Sequence, residues 1–260
     1  MLHARTLLRG GGLEVCDVRC RHEQGAGATE LHSGRHAVVF VRRGCFVRRA
    51  DGRDAVLDPT RAYTMVPGEE HRYDHPHGDG DDCTALFLDG DLLADVPELP
   101  RGAVPTTPDV DLAHRRMLAA VRRGDDPDEA LEPALALVFA VLADVGSAPT
   151  ARSTPARRRL ADAARSALAA DTDVSLVELA RQLAVSPHHL SRVFRAETGE
   201  TVARHRMRLR ARRALEALAE GEHDLARLAA DTGFADQSHL CRVLRSETGT
   251  TPSALRTDLS

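Results

Sequence analysis

The chain has 260 residues, a net charge of −4 and 42% hydrophobic residues, which is the composition of a globular protein and excludes a disordered one. No apolar run approaches the ~18 residues of a membrane span, and the first dozen residues lack an apolar core with a cleavage site, so a cytoplasmic protein with no membrane partner is expected. Five cysteines without framework spacing predict reduced thiols. The charge is uneven: residues 1–155 carry 18 Arg against 25 acids, and residues 156–260 carry 17 Arg against 14. A basic half joined to an acidic half turns attention to nucleic acid.

From Leu13 to about Leu88 the chain reads as short β-branched runs, LEVCDVRC, HAVVFV, CFVRRA, DAVLDP, AYTMVP and CTALFL, separated by turn residues. Asp51-Gly52 is a two-residue hairpin signal, since glycine accepts the positive φ of a type I′ turn. Asp58-Pro59 and Pro67-Gly68 mark further turns. Such spacing predicts a small sandwich or barrel. The segment from Arg43 to His71 carries Gly44, Asp51-Gly52 and Pro67-Gly68-Glu69-Glu70-His71. With these it resembles the cupin-like sensing domain at the front of many bacterial regulators.

After Pro108 the apolar period changes from two to about 3.6. Val110, His114, Met117 and Val121 form one helical stripe. Leu131, Leu135, Val138, Leu142 and Val145 form a second, at the spacing of a coiled coil, and predict a homodimer seam. The alternative is a helix packed on the β domain of its own chain. Gly146 to Pro155 is a linker by composition.

The second half repeats itself. SPHHLSRVFRAETG from Ser186 returns as DQSHLCRVLRSETG from Asp236, 50 residues later, with eight of 14 positions identical. Each copy follows a short amphipathic helix, with Leu176, Leu179, Ala180 and Leu183 in the first and Leu225, Leu228, Ala229 and Thr232 in the second. Ser186-Pro187 and Asp236 are helix starts, and Gly199 and Gly249 are helix ends. Gly233-Phe234 makes a tight turn in the second copy, while Ala184-Val185 must do so without glycine in the first. Two short helices joined by a tight turn are a helix-turn-helix, whose second helix enters a DNA major groove.

Helical spacing turns Leu190, Val193 and Phe194 inward, and likewise Leu240, Val243 and Leu244. It leaves His188, His189, Ser191, Arg192 and Arg195 in one copy, and Gln237, Ser238, His239, Cys241, Arg242 and Arg245 in the other, as candidate DNA-binding residues. Arginine offers the forked donor pair that fits guanine or bridges phosphates. Between the copies, Val202 to about Glu220 reads as an arginine-rich helix long enough to hold the modules ~27 Å apart, near the ~34 Å repeat of the major groove.

Residues from about Ala156 to Arg256 are similar to the DNA-binding domain of the AraC/XylS family of transcriptional regulators. The likeness runs through Gly233-Phe234, Ser238, Leu240, Arg242, Gly249, Thr251-Pro252 and Arg256. The family has Phe where Leu240 and Leu244 stand and an aromatic at Leu255. The resemblance implies a sensing and dimerising N-terminal domain, a small-molecule effector, and RNA polymerase as a partner if the protein activates.

Cys16, Cys20, Cys45 and Cys83, with His22, His32, His36, His71, His75 and His77, lie in the first half. Thiolate and imidazole suit zinc, and Cys20, Cys45, Cys83 and His71 are the candidate metal ligands, although no tight motif spaces them. Arginines beside Cys20 and Cys45 predict lowered thiol pKa values.

The resulting expectation is an α+β chain. Residues 1–108 form a cupin-like β-barrel sensing domain, 109–146 a helical dimerisation region, 147–155 a linker, and 156–260 an all-α domain with two helix-turn-helix modules. Its function is that of a sequence-specific DNA-binding transcriptional regulator, with double-stranded DNA as partner, no cofactor and no catalytic residue. The alternatives are a metal- or thiol-responsive regulator and a cupin-type metalloenzyme.

Overall fold

The computed structural model of the protein describes residues 2–21, 29–32, 34–78, 80–93, 99, 101–124, 127–144 and 153–259. Its strands are β1 (Leu2–Gly10), β2 (Leu13–Cys20), β3 (Thr29–His32), β4 (His36–Gly44), β5 (Phe46–Ala50), β6 (Arg53–Leu57), β7 (Arg61–Met65), β8 (Glu70–Asp74), β9 (Asp81–Leu88) and β10 (Ala103–Pro105). They form a six-stranded sheet, β1-β2-β9-β4-β7-β10, and a four-stranded sheet, β3-β8-β5-β6. Every pairing is antiparallel.

The chain passes from one sheet to the other at Gly44, whose φ is +84°. A Cβ there would stand 2.3 Å from the Gly80 carbonyl, so only glycine fits. Asp51 and Gly52 both take positive φ, 49° and 70°, and close β5 onto β6 as the type I′ turn requires.

The central strands β4 and β9 are apolar on both faces. Val39, Val41, Cys83 and Ala85 point between the sheets, with Phe46 of β5 and Tyr63 of β7. Val38, Phe40, Leu86 and Leu88 point the other way, under helices α1 (Pro108–Arg123) and α2 (Pro127–Asp144). Thr107 caps α1, its hydroxyl accepting from the Val110 amide at 3.3 Å.

Helix α2 packs part of the expected dimer stripe against its own chain. Val138 is buried in the core shared with the sheet, and Leu131 and Leu142 pack against it. Leu135 is half-buried, and Val145 lies outside the described residues. Part of the stripe covers the outer face of the six-stranded sheet, while Phe139 of the same helix is exposed. Helix α1 also reaches beyond the β domain. Its His114 ring stacks on Phe40 at 4.5 Å, while Leu112 sits in the core of the last helices of the chain.

Those helices are α3 (Pro155–Ala170), α4 (Leu176–Gln182), α5 (Pro187–Thr198), α6 (Val202–Ala219), α7 (Leu225–Asp231), α8 (Gln237–Thr248) and α9 (Pro252–Leu259). The caps fall where the sequence places them. Ser186 accepts from the His189 amide at 3.2 Å and Asp236 from the His239 amide at 2.7 Å. Gly199 and Gly249 end α5 and α8 in the left-handed region. In the turns, Gly233 takes φ +79° and Ala184 takes φ +52°, a conformation that costs an L-residue roughly 1 kcal/mol.

Two buried ionic clusters join the β domain to the helical half. In one, Asp58, from the turn before β7, accepts from Arg165 of α3 at 2.6 and 3.1 Å. In the other, Glu216 of α6 meets Arg42 of β4 at 3.3 Å and Arg115 of α1. No helix among the described residues is long and apolar enough to cross a membrane.

Candidate nucleic-acid interface

Helices α5 and α8 occupy equivalent places in the two copies. Leu190, Val193 and Phe194 anchor α5, and Leu240 and Leu244 anchor α8, all at 2% exposure or less. Val243 is only partly buried. Leu255 of α9 and Leu112 of α1 complete the second core.

The opposite faces are open. His188, Arg192 and Arg195 are exposed on α5, and Gln237, Ser238, Arg242 and Arg245 are exposed on α8. Ser191 and Cys241 are half-buried on the same faces. His239 is half-buried too, its ring set edge-on against Phe234 at 5.3 Å, with Nδ1 accepting from the Ala235 amide at 3.5 Å. It braces the turn. His189 lies 3.5 Å from the Arg192 guanidinium and positions it.

The arginines of α6 behave differently from a basic surface stripe. Arg204 pairs with Glu247 at 2.6 Å, and Arg206 donates to the Val174 carbonyl at 2.6 Å. Arg208 reaches Glu200 and the Thr106 carbonyl, and Arg210 the Thr172 carbonyl. Arg212 pairs with Asp111, and Arg213 donates to the Ala169 carbonyl. Spacing alone would turn these residues to solvent; each instead ties α6 to a neighbouring segment.

A second concave feature lies between the two sheets. It is a cavity of about 180 Å³ with mostly apolar walls, among them Val39, Phe46, Tyr63, Tyr73 and Ala85. Its polar end is formed by Cys20, His75, Asp81 and Cys83. His75 Nε2 and Asp81 Oδ1 are 2.6 Å apart, and the Cys83 thiol donates to Asp81 Oδ2 at 3.1 Å.

This corrects the expected convergence of Cys20, Cys45, Cys83 and His71. Cys45 turns away to Ser166 of α3, and His71 sits apart against Tyr73, with Glu69 3.8 Å from its Nδ1. His22 and the His32 side chain lie outside the described residues. Sequence reasoning misses Asp81 because its partner His75 stands across a turn, outside any fixed motif spacing.

The thiols also depart from expectation. Burial pushes Cys20 up to about 11, helped by Asp81, and pushes Cys45 up to about 12. Arg21 does lower Cys20 but is outweighed by burial and Asp81, and Arg19 and Arg21 engage Asp17 at 3.1 Å and Asp82 at 2.7 Å.

Residues 179–258 match the family described as "Helix-turn-helix domain". The chain is 40% identical over 86 residues to the bifunctional transcriptional activator/DNA repair enzyme Ada of Escherichia coli, a match covering 33% of this chain and 24% of that protein. It is 38% identical over 120 residues to the regulatory protein ada of Salmonella typhimurium, covering 44% and 34%. The matches thus span about a quarter to a third of these relatives' length. Among solved structures, ToxT of Vibrio cholerae aligns over 96% of this chain and 98% of its own, at 10% identity and a TM-score of 0.39. The C-terminal domain of AraT from Geobacillus stearothermophilus aligns over 41% of this chain and 88% of its own, at 25% identity and a TM-score of 0.35. The repeated helix pairs, their caps and the family match together identify residues 179–258 as a helix-turn-helix domain.

Proposed function

We propose that the chain is a sequence-specific transcriptional regulator that reads two successive major grooves with α5 and α8. The observation that carries this reading is the twice-repeated exposed face with arginines at matching positions, Arg192 with Arg242 and Arg195 with Arg245. Among the described residues, Arg192, Arg195, Arg242 and Arg245 are all exposed. Helix α6, 18 residues long, spans about 27 Å.

In this reading the cavity takes a small effector. An apolar cavity of about 150 Å³ holds a benzene-sized molecule, and this one has carboxylate, imidazole and thiol groups at one end to orient a polar substituent. Coupling runs through the six-stranded sheet. Val39 and Phe40 are neighbours on β4, the first lining the cavity and the second stacked on His114 of α1. Helix α1 carries Leu112 into the core of the second module.

The direct test is footprinting of the purified full chain on the DNA upstream of its own coding region. Arg192→Ala and Arg242→Ala are each expected to cost about 1–3 kcal/mol of affinity and to relax base preference in one half of the site only. Unchanged affinity and preference in Arg192→Ala would make the first module a scaffold.

Alkylation gives an independent check. Cys241 is the half-exposed cysteine, while Cys16, Cys20, Cys45 and Cys83 are buried. Mild alkylation is expected to abolish DNA binding by steric block at Cys241, and Cys241→Ser is expected to resist it. Alkylated Cys241→Ser that still fails to bind, and recovers only when Cys20, Cys45 or Cys83 is also changed, would place thiol sensing in the β domain.

A further inference from the structure

We propose that Cys20, His75 and Asp81 bind a soft divalent cation of the zinc class at the polar end of the β-domain cavity, with one coordination position left open to the cavity. The three side chains come from separate segments: the end of β2, the turn after β8 and the start of β9. Their donor atoms all lie within 4.8 Å of one another, and all three residues are buried. This is the one such group among the described residues.

The donor set suits the ion. Zinc, a borderline-soft ion, accepts thiolate sulfur, imidazole nitrogen and carboxylate oxygen together in tetrahedral geometry. A thiolate and a carboxylate cancel the charge of a divalent cation, so the loaded site is neutral within apolar walls, where a net charge would be costly. The Cys83 thiol bonded to Asp81 Oδ2 holds the carboxylate with Oδ1 toward His75. That is the role of an outer partner that orients a ligand.

A buried His–Asp hydrogen bond alone would account for two of these residues. It gives no reason for a cysteine sulfur beside them. Zinc ligands stand about 2.0–2.3 Å from the ion, so Nε2 and Oδ1, now 2.6 Å apart, must separate by under about 1 Å to admit it.

Three protein ligands and an open fourth position make a site that accepts an exogenous donor. All three ligands line the cavity, so that donor would be the acidic or thiol group of a small, largely apolar molecule. The inference deepens the reading of the cavity as an effector site and rests on it only for this fourth ligand.

The test uses the full chain, stripped with chelator and titrated with Co2+ as a spectroscopic stand-in for Zn2+. The expected result is one Co2+ per chain, with a thiolate-to-metal charge-transfer band that Zn2+ abolishes by displacement. Cys20→Ser should remove the band, and Asp81→Asn should weaken Co2+ binding tenfold or more. Cys45→Ser should leave both unchanged. Should Cys20→Ser fail to fold, His75→Gln serves in its place, with loss of the Zn2+-induced rise in unfolding temperature as the readout. Absence of the band in the unaltered chain, its survival in Cys20→Ser, or a Zn2+ response intact in His75→Gln would overturn the proposal. Electrophoretic DNA binding, measured on every variant in parallel, reports on the regulator reading separately, since none of these residues lies on α5 or α8.

Discussion

Glu216→Ala is expected to destabilise the folded chain by about 3–5 kcal/mol, the cost of breaking a buried ion pair by removing one partner. Glu216 is 2% exposed and sits between Arg42 and Arg115, which are 2% and 1% exposed. Around it three guanidinium groups, of Arg42, Arg115 and Arg212, meet three carboxylates, of Asp17, Asp111 and Glu216. Arg19 reaches Asp17 from the exposed side of the same cluster. Removing Glu216 leaves a net positive charge where water cannot reach it. Glu216→Gln keeps an acceptor and loses the charge, so an intermediate loss is expected. Chemical denaturation monitored by circular dichroism measures both, and a loss below about 1 kcal/mol for Glu216→Ala would mean the cluster is solvated.

Asp58→Ala should be of similar severity, and a pH series should expose its cause. Burial raises the Asp58 carboxyl, but Arg165, His205 and Thr60 outweigh it and hold it well below the ordinary carboxylate range. Glu216 is shifted in the same direction, burial again being overcome by Arg115 and Arg42. A carboxylate depressed in the folded state binds its proton more readily in the unfolded chain. Its stabilisation is therefore complete above about pH 5 and is lost as the pH falls through its unfolded value of about 4 and below. The unaltered chain should lose stability steeply below about pH 4. Asp58→Asn, already lacking the charge, should start less stable and fall less steeply over the same range. Parallel pH curves for the two chains would remove Asp58 from the account of acid unfolding.

The helical half was the more legible part of this sequence. Its helices announce themselves through caps, glycine ends and a repeat, all of which are local. Strand β1 was not foreseen because Leu2–Gly10 is an edge strand with exposed residues through most of its length, and without burial there is no alternation to read. The candidate reading faces were visible because exposure on a short helix follows directly from spacing. The cavity end was only half visible. Cys20 and Cys83 stood out by residue type, but Asp81 joins them through the pairing of β2 with β9, a long-range register that no single segment encodes. The stripe of α2 is legible only as far as its polarity, since helical spacing shows that a face is apolar and leaves open what covers it.

The six arginines of α6, already engaged within the chain, change what the duplex meets when the protein docks. DNA binding releases roughly 0.9 condensed counterions for each phosphate neutralised. Counting every arginine on α5, α6 and α8 would predict a log–log dependence of affinity on salt with a slope near −9. If the proposed faces on α5 and α8 make the contacts, Arg192, Arg195, Arg242 and Arg245 would set a slope of about −4. Such a protein gains little from non-specific attraction to the backbone and forfeits little as ionic strength rises. Its search along the chromosome would then rely on short contacts that end quickly, with residence governed by base edges more than by counterions.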